Sequence, residues 1–106
     1  MKNLTSLLKT RISIEKSTKI PDEAGGFEIT WEHEKYAYAQ VKNLGLQEEK
    51  FNDISLNTVN YKIIIRYDAQ ITQNHRININ HNIITIKYIA ILGKSEAMEL
   101  NCVQNL

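Results

Sequence analysis

The chain has 106 residues and a nearly balanced charge, with 13 basic and 12 acidic residues and a net charge of +1. This length predicts a single domain over residues 1–106 that is large enough to bury one hydrophobic core. The two signs are interleaved along the sequence, which argues against a domain that holds nucleic-acid phosphates on a strongly basic face.

The first predicted strand covers residues 11–16. Ile12 and Ile14 alternate there with polar residues, which is the period of a half-buried strand. The only proline, Pro21, and the pair Gly25 and Gly26 follow within ten residues. These residues predict a turn, and a hairpin is the simplest connection to the next strand.

Two further strands are predicted between residues 27 and 41. In the first of them Phe27, Ile29 and Trp31 alternate with polar residues, so we expect these large side chains to face inward. In the second, residues 36–41, aromatic residues alternate with alanines, which places bulk on one face and allows close approach on the other.

Residues 43–58 keep neither helical nor strand spacing, and they predict a long loop. A loop of this length inside a compact domain is usually functional or disordered. Its apolar residues Phe51, Ile54 and Leu56 have little reason to stay in solvent, so we expect the loop to order on docking or to line a channel. The alternative is that Phe51 and Leu56 cap the core of the free subunit. The candidate docking or channel residues are Gln47, Glu48, Glu49, Lys50, Phe51, Asn52, Asp53 and Ile54.

The strongest strand signal is the run 60–68, which has three consecutive isoleucines, Ile63 to Ile65. Its length and β-branched content predict a strand in the middle of a sheet. Either Ile63 and Ile65 or Ile64 should face the core, with Trp31 packed nearby. By alternation Arg66 shares a face with Ile64, so we expect it to find a structural partner such as Asp68.

The last third of the chain predicts three short strands. Asn80 and His81 tolerate the positive φ of a tight turn, so they predict a hairpin between residues 76–80 and 84–92. Residues 93–96 predict a second turn, and the closing strand 99–103 places Leu100 and Cys102 on one face. The complete pattern predicts an all-β fold, a small antiparallel β-barrel of about six or seven short strands with one long loop.

No arrangement of residues typical of catalysis or metal binding is visible. The three histidines are far apart in sequence and have no cysteine nearby, and His33 between two glutamates is best interpreted as a solvated strand end. Cys102, the only cysteine, lies in an apolar stretch and is expected to pack rather than react. We therefore expect no enzyme, cofactor or metal site. Arg66 with Tyr61 and Tyr67 could form a platform for single-stranded nucleic acid, but such a face is more often core.

The order and spacing of these segments resemble the head-tail joining proteins, also called head-tail adaptor or head closure proteins, of long-tailed bacteriophages. The similarity covers almost the whole chain, with the central strand and its Arg66-Tyr67 end in the middle. It includes segments 8–14, 22–27 with Trp31, 37–41, 61–67, 71–72, 76–77, 84–86 and 99–102.

The resemblance implies a structural virion or prophage protein without cofactors. Such a subunit docks under the portal, forms a homo-oligomeric ring around the DNA channel and offers the surface for tail attachment, so its partners are portal or connector and tail proteins. It implies a place in the virion, and in the host cytoplasm during assembly. Residues expected to matter for structure are Gly25, Gly26, Trp31, Ile64 and Arg66.

Two alternatives remain open. One is a tail-completion protein of the same virion, and the other is a small OB-like or SH3-like barrel that binds nucleic acid or a peptide. The absence of interleaved aromatic and arginine residues on one face counts against the second. We also expect no long exposed apolar stripe, and therefore a free subunit that is monomeric or weakly associating.

Overall fold

The computed structural model describes residues 4–106, without the side chains of residues 4, 5, 49 and 51. A single helical turn, α1, is followed by six strands. Their bounds are α1 Leu4–Leu7, β1 Thr10–Pro21, β2 Phe27–Phe51, β3 Ile54–Arg66, β4 His75–Ile79, β5 Asn82–Leu92 and β6 Ala97–Asn105. The all-β prediction is confirmed, with six antiparallel strands.

The six strands form one sheet that closes on itself in the order β1-β2-β3-β6-β5-β4. Every pairing is antiparallel, and closure comes from the pairing of β1 with β4 through Ser13 to Lys16. Closure leaves the middle of the sheet without free edges, which protects it from unwanted strand pairing.

The core inside the closed sheet consists mainly of isoleucine. Alternation along β1, β3 and β6 directs Ile12 and Ile14, Ile63 and Ile65, and Leu100 and Cys102 into one cluster. The remaining members that are buried are Ala39, Ile71, Ile77, Ile84, Ile86 and Met98. The predictions that β3 is central and that Leu100 and Cys102 share a buried face are confirmed.

Ile64 is buried on the opposite side of β3. Its side chain packs outside the closed sheet against Leu8 and Ala97, with Leu92 at the margin of this second cluster. All three central isoleucines are therefore buried, although alternation alone would leave one of the two faces to solvent. Ile64 is buried because the N-terminal segment covers the outer face of β3.

Both turns predicted in the last third of the chain are present. Asn80 and His81 have φ values of 49° and 69° between β4 and β5, and Gly93 has a φ of 63° between β5 and β6. Positive φ at both Asn80 and His81 is the geometry of a type I′ hairpin turn. The helical segment in residues 4–106 is too short to cross a membrane.

Candidate functional site

Strand β2 extends at both ends beyond the closed part of the sheet. It forms one projecting hairpin with β1 and another with β3. Its 25 residues pair with β1 over Phe27–Ala39 and with β3 over Ala39–Phe51. Beyond the parts that also contact β4 or β6, each hairpin continues as a two-stranded ribbon. We call residues 18–30 the first arm and residues 44–57, of which residues 48–57 form the two-stranded part, the second arm. They extend from opposite ends of β2, and the longest dimension of the molecule is 51 Å.

The tip of the first arm is a turn organised by Asp22. Its carboxylate Oδ1 accepts hydrogen bonds from the backbone N–H groups of Ala24 at 3.0 Å and Gly26 at 2.8 Å. Gly25 has a φ of 85°, where a side chain would be strained, and a Cβ on Gly26 would lie 3.1 Å from Asp22 Oδ2. The predicted turn at Gly25 and Gly26 is confirmed.

The prediction that Phe27, Ile29 and Trp31 face the core is wrong. A β-bulge at Glu34, between the pairs Ile14–Lys35 and Glu15–His33, adds one residue to β2. An extra residue reverses which side chains face outward, so the odd-numbered residues before the bulge lie on the outer side. Phe27 is 66% exposed and Trp31 36% exposed.

The predicted long loop is also wrong, because residues 43–58 belong to β2 and β3. Gln47 pairs with Thr58 and Glu48 with Asn57, and the ladder continues to Phe51 and Ile54. Asn52 and Asp53 turn the chain with φ values of 49° and 65°. The side chains of Glu49 and Phe51 lie outside the described part, so the capping alternative is not decided for Phe51.

A bulge and polar residues on both faces explain why the sequence of the second arm lacks clear strand periodicity. A bulge at Leu44 shifts the alternation where the arm leaves the closed sheet. Side-chain hydrogen bonds then connect the strands, from Asn60 to Gln47 at 2.7 Å on one face and from Ser55 to Glu48 at 3.1 Å on the other. Leu56 is exposed rather than capping the core.

Exposed apolar side chains are concentrated on these arms. The first arm presents Ile20, Phe27 and Ile29, and the second arm presents Leu44, Leu46, Ile54 and Leu56. They are divided between the two faces of each arm, so the expectation that the surface has no long apolar stripe stays a prediction. Groups of exposed apolar residues of this kind mark contact surfaces more often than chance scatter does.

An aromatic row on the outer side of β2 connects the root of the first arm with the closed sheet. The register places Trp31, His33, Tyr36 and Tyr38 opposite the outward residues of β1. We call these four residues, together with Arg11 and Arg76, the outer aromatic face. The Arg76 guanidinium lies 4.5 Å from the ring centre of Trp31 and donates a 2.6 Å hydrogen bond from Nε to Glu15.

The other half of the outer aromatic face is built in the same way. The guanidinium of Arg11 lies 4.4 Å from the ring centre of Tyr36, and the rings of Tyr36 and His33 are 4.3 Å apart. His33 Nδ1 lies 2.6 Å from Ser13 Oγ. Aromatic and arginine side chains are thus interleaved on one face, contrary to the expectation from the sequence.

Two carboxylates near this face are held in their charged form. Burial raises the pKa of Glu15, but hydrogen bonds from Arg76 and Asn78 and the positive charge of Arg76 outweigh it, so its pKa is lowered. The pKa of Asp68 is lowered chiefly by its hydrogen bond from Lys35, against an opposing effect of burial. Both groups therefore favour the folded state only while they are ionised.

We expect the free energy of unfolding to fall in acid as these two groups take up protons. A lowered folded pKa gives stability that is complete above the unfolded values of 4.5 and 3.8 and is lost as the pH falls through the folded values. Urea unfolding between neutral pH and pH about 2 measures this slope. Glu15→Gln should lower stability at neutral pH and flatten the acid limb, whereas Glu28→Gln, on the exposed first arm, should keep the wild-type profile. An unchanged acid limb in Glu15→Gln would contradict the assignment.

Arg66 is exposed at the end of β3, on the side of the strand where Ile64 lies. Asp68, its expected partner, accepts a hydrogen bond from Lys35 across the point where β2 and β3 separate. This separation opens a groove of about 280 Å³ lined in part by Tyr36, Tyr38 and Arg66. The groove adjoins the outer aromatic face.

The reactive side chains among the described residues are buried in the core or take part in pairwise polar contacts. Burial raises the pKa of the Cys102 thiol to about 12, which makes it a packing residue and confirms that interpretation. His75 Nε2 lies 2.6 Å from Glu34 Oε2, close to the bulge, and His75 Nδ1 lies 3.3 Å from Thr72 Oγ1. Within residues 4–106, no group of three or more histidine, cysteine or acidic residues could hold a metal ion.

Sequence reasoning therefore missed the two arms and the outer aromatic face. The pair Asn52 and Asp53 was an available signal for the second arm, because both residue types tolerate positive φ at a hairpin turn. Nothing local marks the bulge at Glu34, which decides the outward direction of Trp31. Arg76 and Trp31 meet only because β1 pairs with both β2 and β4.

Comparisons with known proteins agree with this architecture. A family model described as "Phage head completion protein" matches residues 4–104. A chain in the virion of a native gene transfer agent particle has a similar structure, with a TM-score of 0.78, 17% identity, and coverage of 93% of this chain and 96% of that one. The solution structure of protein SF1141 from Shigella flexneri 2a aligns with a TM-score of 0.66 and 21% identity, over 96% of both chains. No curated protein matches the sequence.

Proposed function

This chain belongs to the phage head completion protein family, and from that premise we propose that it is a head-tail connector subunit. In this proposal the subunit docks under the portal, forms a homo-oligomeric ring around the DNA channel and provides the surface to which the tail attaches. The match to the family model over residues 4–104 carries the proposal. The role is structural, with portal or connector and tail proteins as partners, and it requires no catalysis or cofactor.

The two arms support a protein that joins unlike neighbours. Each arm is a two-stranded ribbon, and isolated ribbons of this kind are only marginally stable in water. Docking would bury exposed residues such as Phe27 and Ile29 on one arm, and Ile54 and Leu56 on the other. Because the arms extend from opposite ends of β2, they give the subunit two separate contact regions, as a joint between a head and a tail requires.

A closed ring of identical subunits needs contacts between different surfaces of neighbouring copies. We propose that this ring forms on the head and that the free subunit is monomeric or weakly associating, since permanent oligomers bury large, predominantly apolar interfaces. The subunit would be in the host cytoplasm during assembly and in the virion afterwards. With three acidic residues and one lysine in residues 44–57, the second arm would repel DNA phosphates and let DNA pass if it faces the channel.

Removal of the gene from a phage or prophage that encodes this chain tests the proposal. We expect heads that package DNA but remain without tails, together with free tails, as seen by electron microscopy of the lysate. Supply of the wild-type protein from a plasmid should restore joined particles that contain it. Normal tailed particles in the absence of the protein would contradict the connector role. Complete heads joined to defective tails would favour the tail-completion alternative.

A further inference from the structure

The outer aromatic face is an exposed surface whose side chains are ordered by contacts with one another. Tyr36 and Tyr38 are 58% and 61% exposed, although Tyr36 is held in place by Arg11 and His33. Tyrosine, tryptophan and arginine are the residues that most often dominate the energy of protein contacts. Fixed side chains also lose less conformational entropy on binding. The side chains of this surface are thus already ordered in the free subunit, which favours binding of a partner.

The charges of the face define the kind of partner that fits. Arg11 and Arg76 contribute two positive charges, and Glu15 contributes one negative charge that is engaged by Arg76 and Asn78. The net charge of this face is therefore about +1 from its fully ionised groups. A complementary surface would combine apolar side chains with an excess of carboxylates.

The second arm of the same sequence has this composition. It presents Ile54 and Leu56 to solvent on one face and Leu46 on the other. Its ionisable residues are Glu48, Glu49, Lys50 and Asp53, with a formal net charge of −2. Both halves of a complementary contact are therefore carried by one chain.

The two surfaces cannot meet within one subunit. Tyr36 pairs with β1 and Leu46 pairs with β3, ten residues apart along β2. These ladders hold the second arm in place, so its tip could reach the outer aromatic face of the same subunit only if its pairing with β3 were broken. The contact is therefore available only between two copies.

We propose that the second arm of one subunit lies on the outer aromatic face of the next subunit. The contact is heterologous, because one surface meets a different one, so its repetition builds a ring or a helix rather than a two-fold dimer. The inference rests on the proposed connector function and adds the two surfaces through which neighbouring copies recognise each other.

Photo-crosslinking in purified particles tests this contact. Benzoylphenylalanine replaces Tyr38 on the face or, as the control, Phe27 at the tip of the first arm, which is similarly exposed at 66%. We expect irradiation to produce a covalent dimer from position 38, in which the linked tryptic peptide is 43–50 or 51–62. Position 27 should not link to these peptides. A link from position 38 to another region of the chain, to a portal or tail protein, or to DNA would overturn the proposal.

Charge reversal provides a second measurement. Arg11→Glu places a carboxylate opposite an acidic arm, so we expect the yield of the dimer from position 38 to fall several-fold. The control Lys94→Glu, in the exposed turn between β5 and β6, should leave the yield unchanged. Equal yields in Arg11→Glu and wild type would overturn the charge pairing. If the labelled protein is absent from the particles, the connector function itself fails, whereas a labelled protein linked elsewhere leaves that function intact.

Discussion

Replacement of Ile63 by alanine is expected to lower the free energy of unfolding by about 2–5 kcal/mol. Ile63 is completely buried on β3 and packs in the main core, so the shortened side chain leaves a cavity in closely packed surroundings. Urea unfolding followed by circular dichroism measures the change. Ile63→Val, which removes one methylene, should cost about 0.5–1.5 kcal/mol and remains measurable if the alanine variant does not fold.

The matched control for this substitution lies on the same strand. Ile54 is 60% exposed on the second arm, so Ile54→Ala should change stability by no more than about 0.5 kcal/mol. Equal losses in Ile63→Ala and Ile54→Ala would mean that the second arm is packed in the free subunit. Trp31→Ala should fall between the two, because it removes the contact with Arg76 but no core volume.

Shortening of the second arm is expected to abolish tail joining and leave the closed sheet folded. Replacement of residues 48–57 by Asn-Gly retains the pair Gln47–Thr58 and closes it with a type I′ turn. The pairs of Thr58 and Val59 with β6 are also retained. In the complementation assay we expect no tailed particles, although circular dichroism and a cooperative unfolding transition should persist.

The control for this deletion changes only the turn. Asp53 has a φ of 65°, so Asp53→Gly relieves strain and keeps the arm at full length. This variant should join tails like the wild type. Tail joining by the shortened protein would contradict a role for the second arm in docking, and failure of Asp53→Gly would show that the assay responds to small changes in stability instead.

Alternation and turn chemistry determine much of this fold. The isoleucines of β1, β3 and β4 recur with strand period, and the pairs at Asn80-His81 and Gly25-Gly26 have the conformational freedom that their turns require. These features depend on residues that are close together in the sequence, so local sequence patterns predict them.

The outward position of Trp31 and the extent of the second arm were decided only by the tertiary structure. A single extra residue at Glu34 reverses which side chains of the first arm face outward. The local sequence does not show which residue of β2 stays unpaired. Ile64 is buried because Leu8 crosses the outer side of β3, a contact between residues 56 positions apart. The outer aromatic face likewise requires closure of β1 against β4. Such features depend on which strands pair and in which register, and the free energy that selects a register is distributed over the whole sheet.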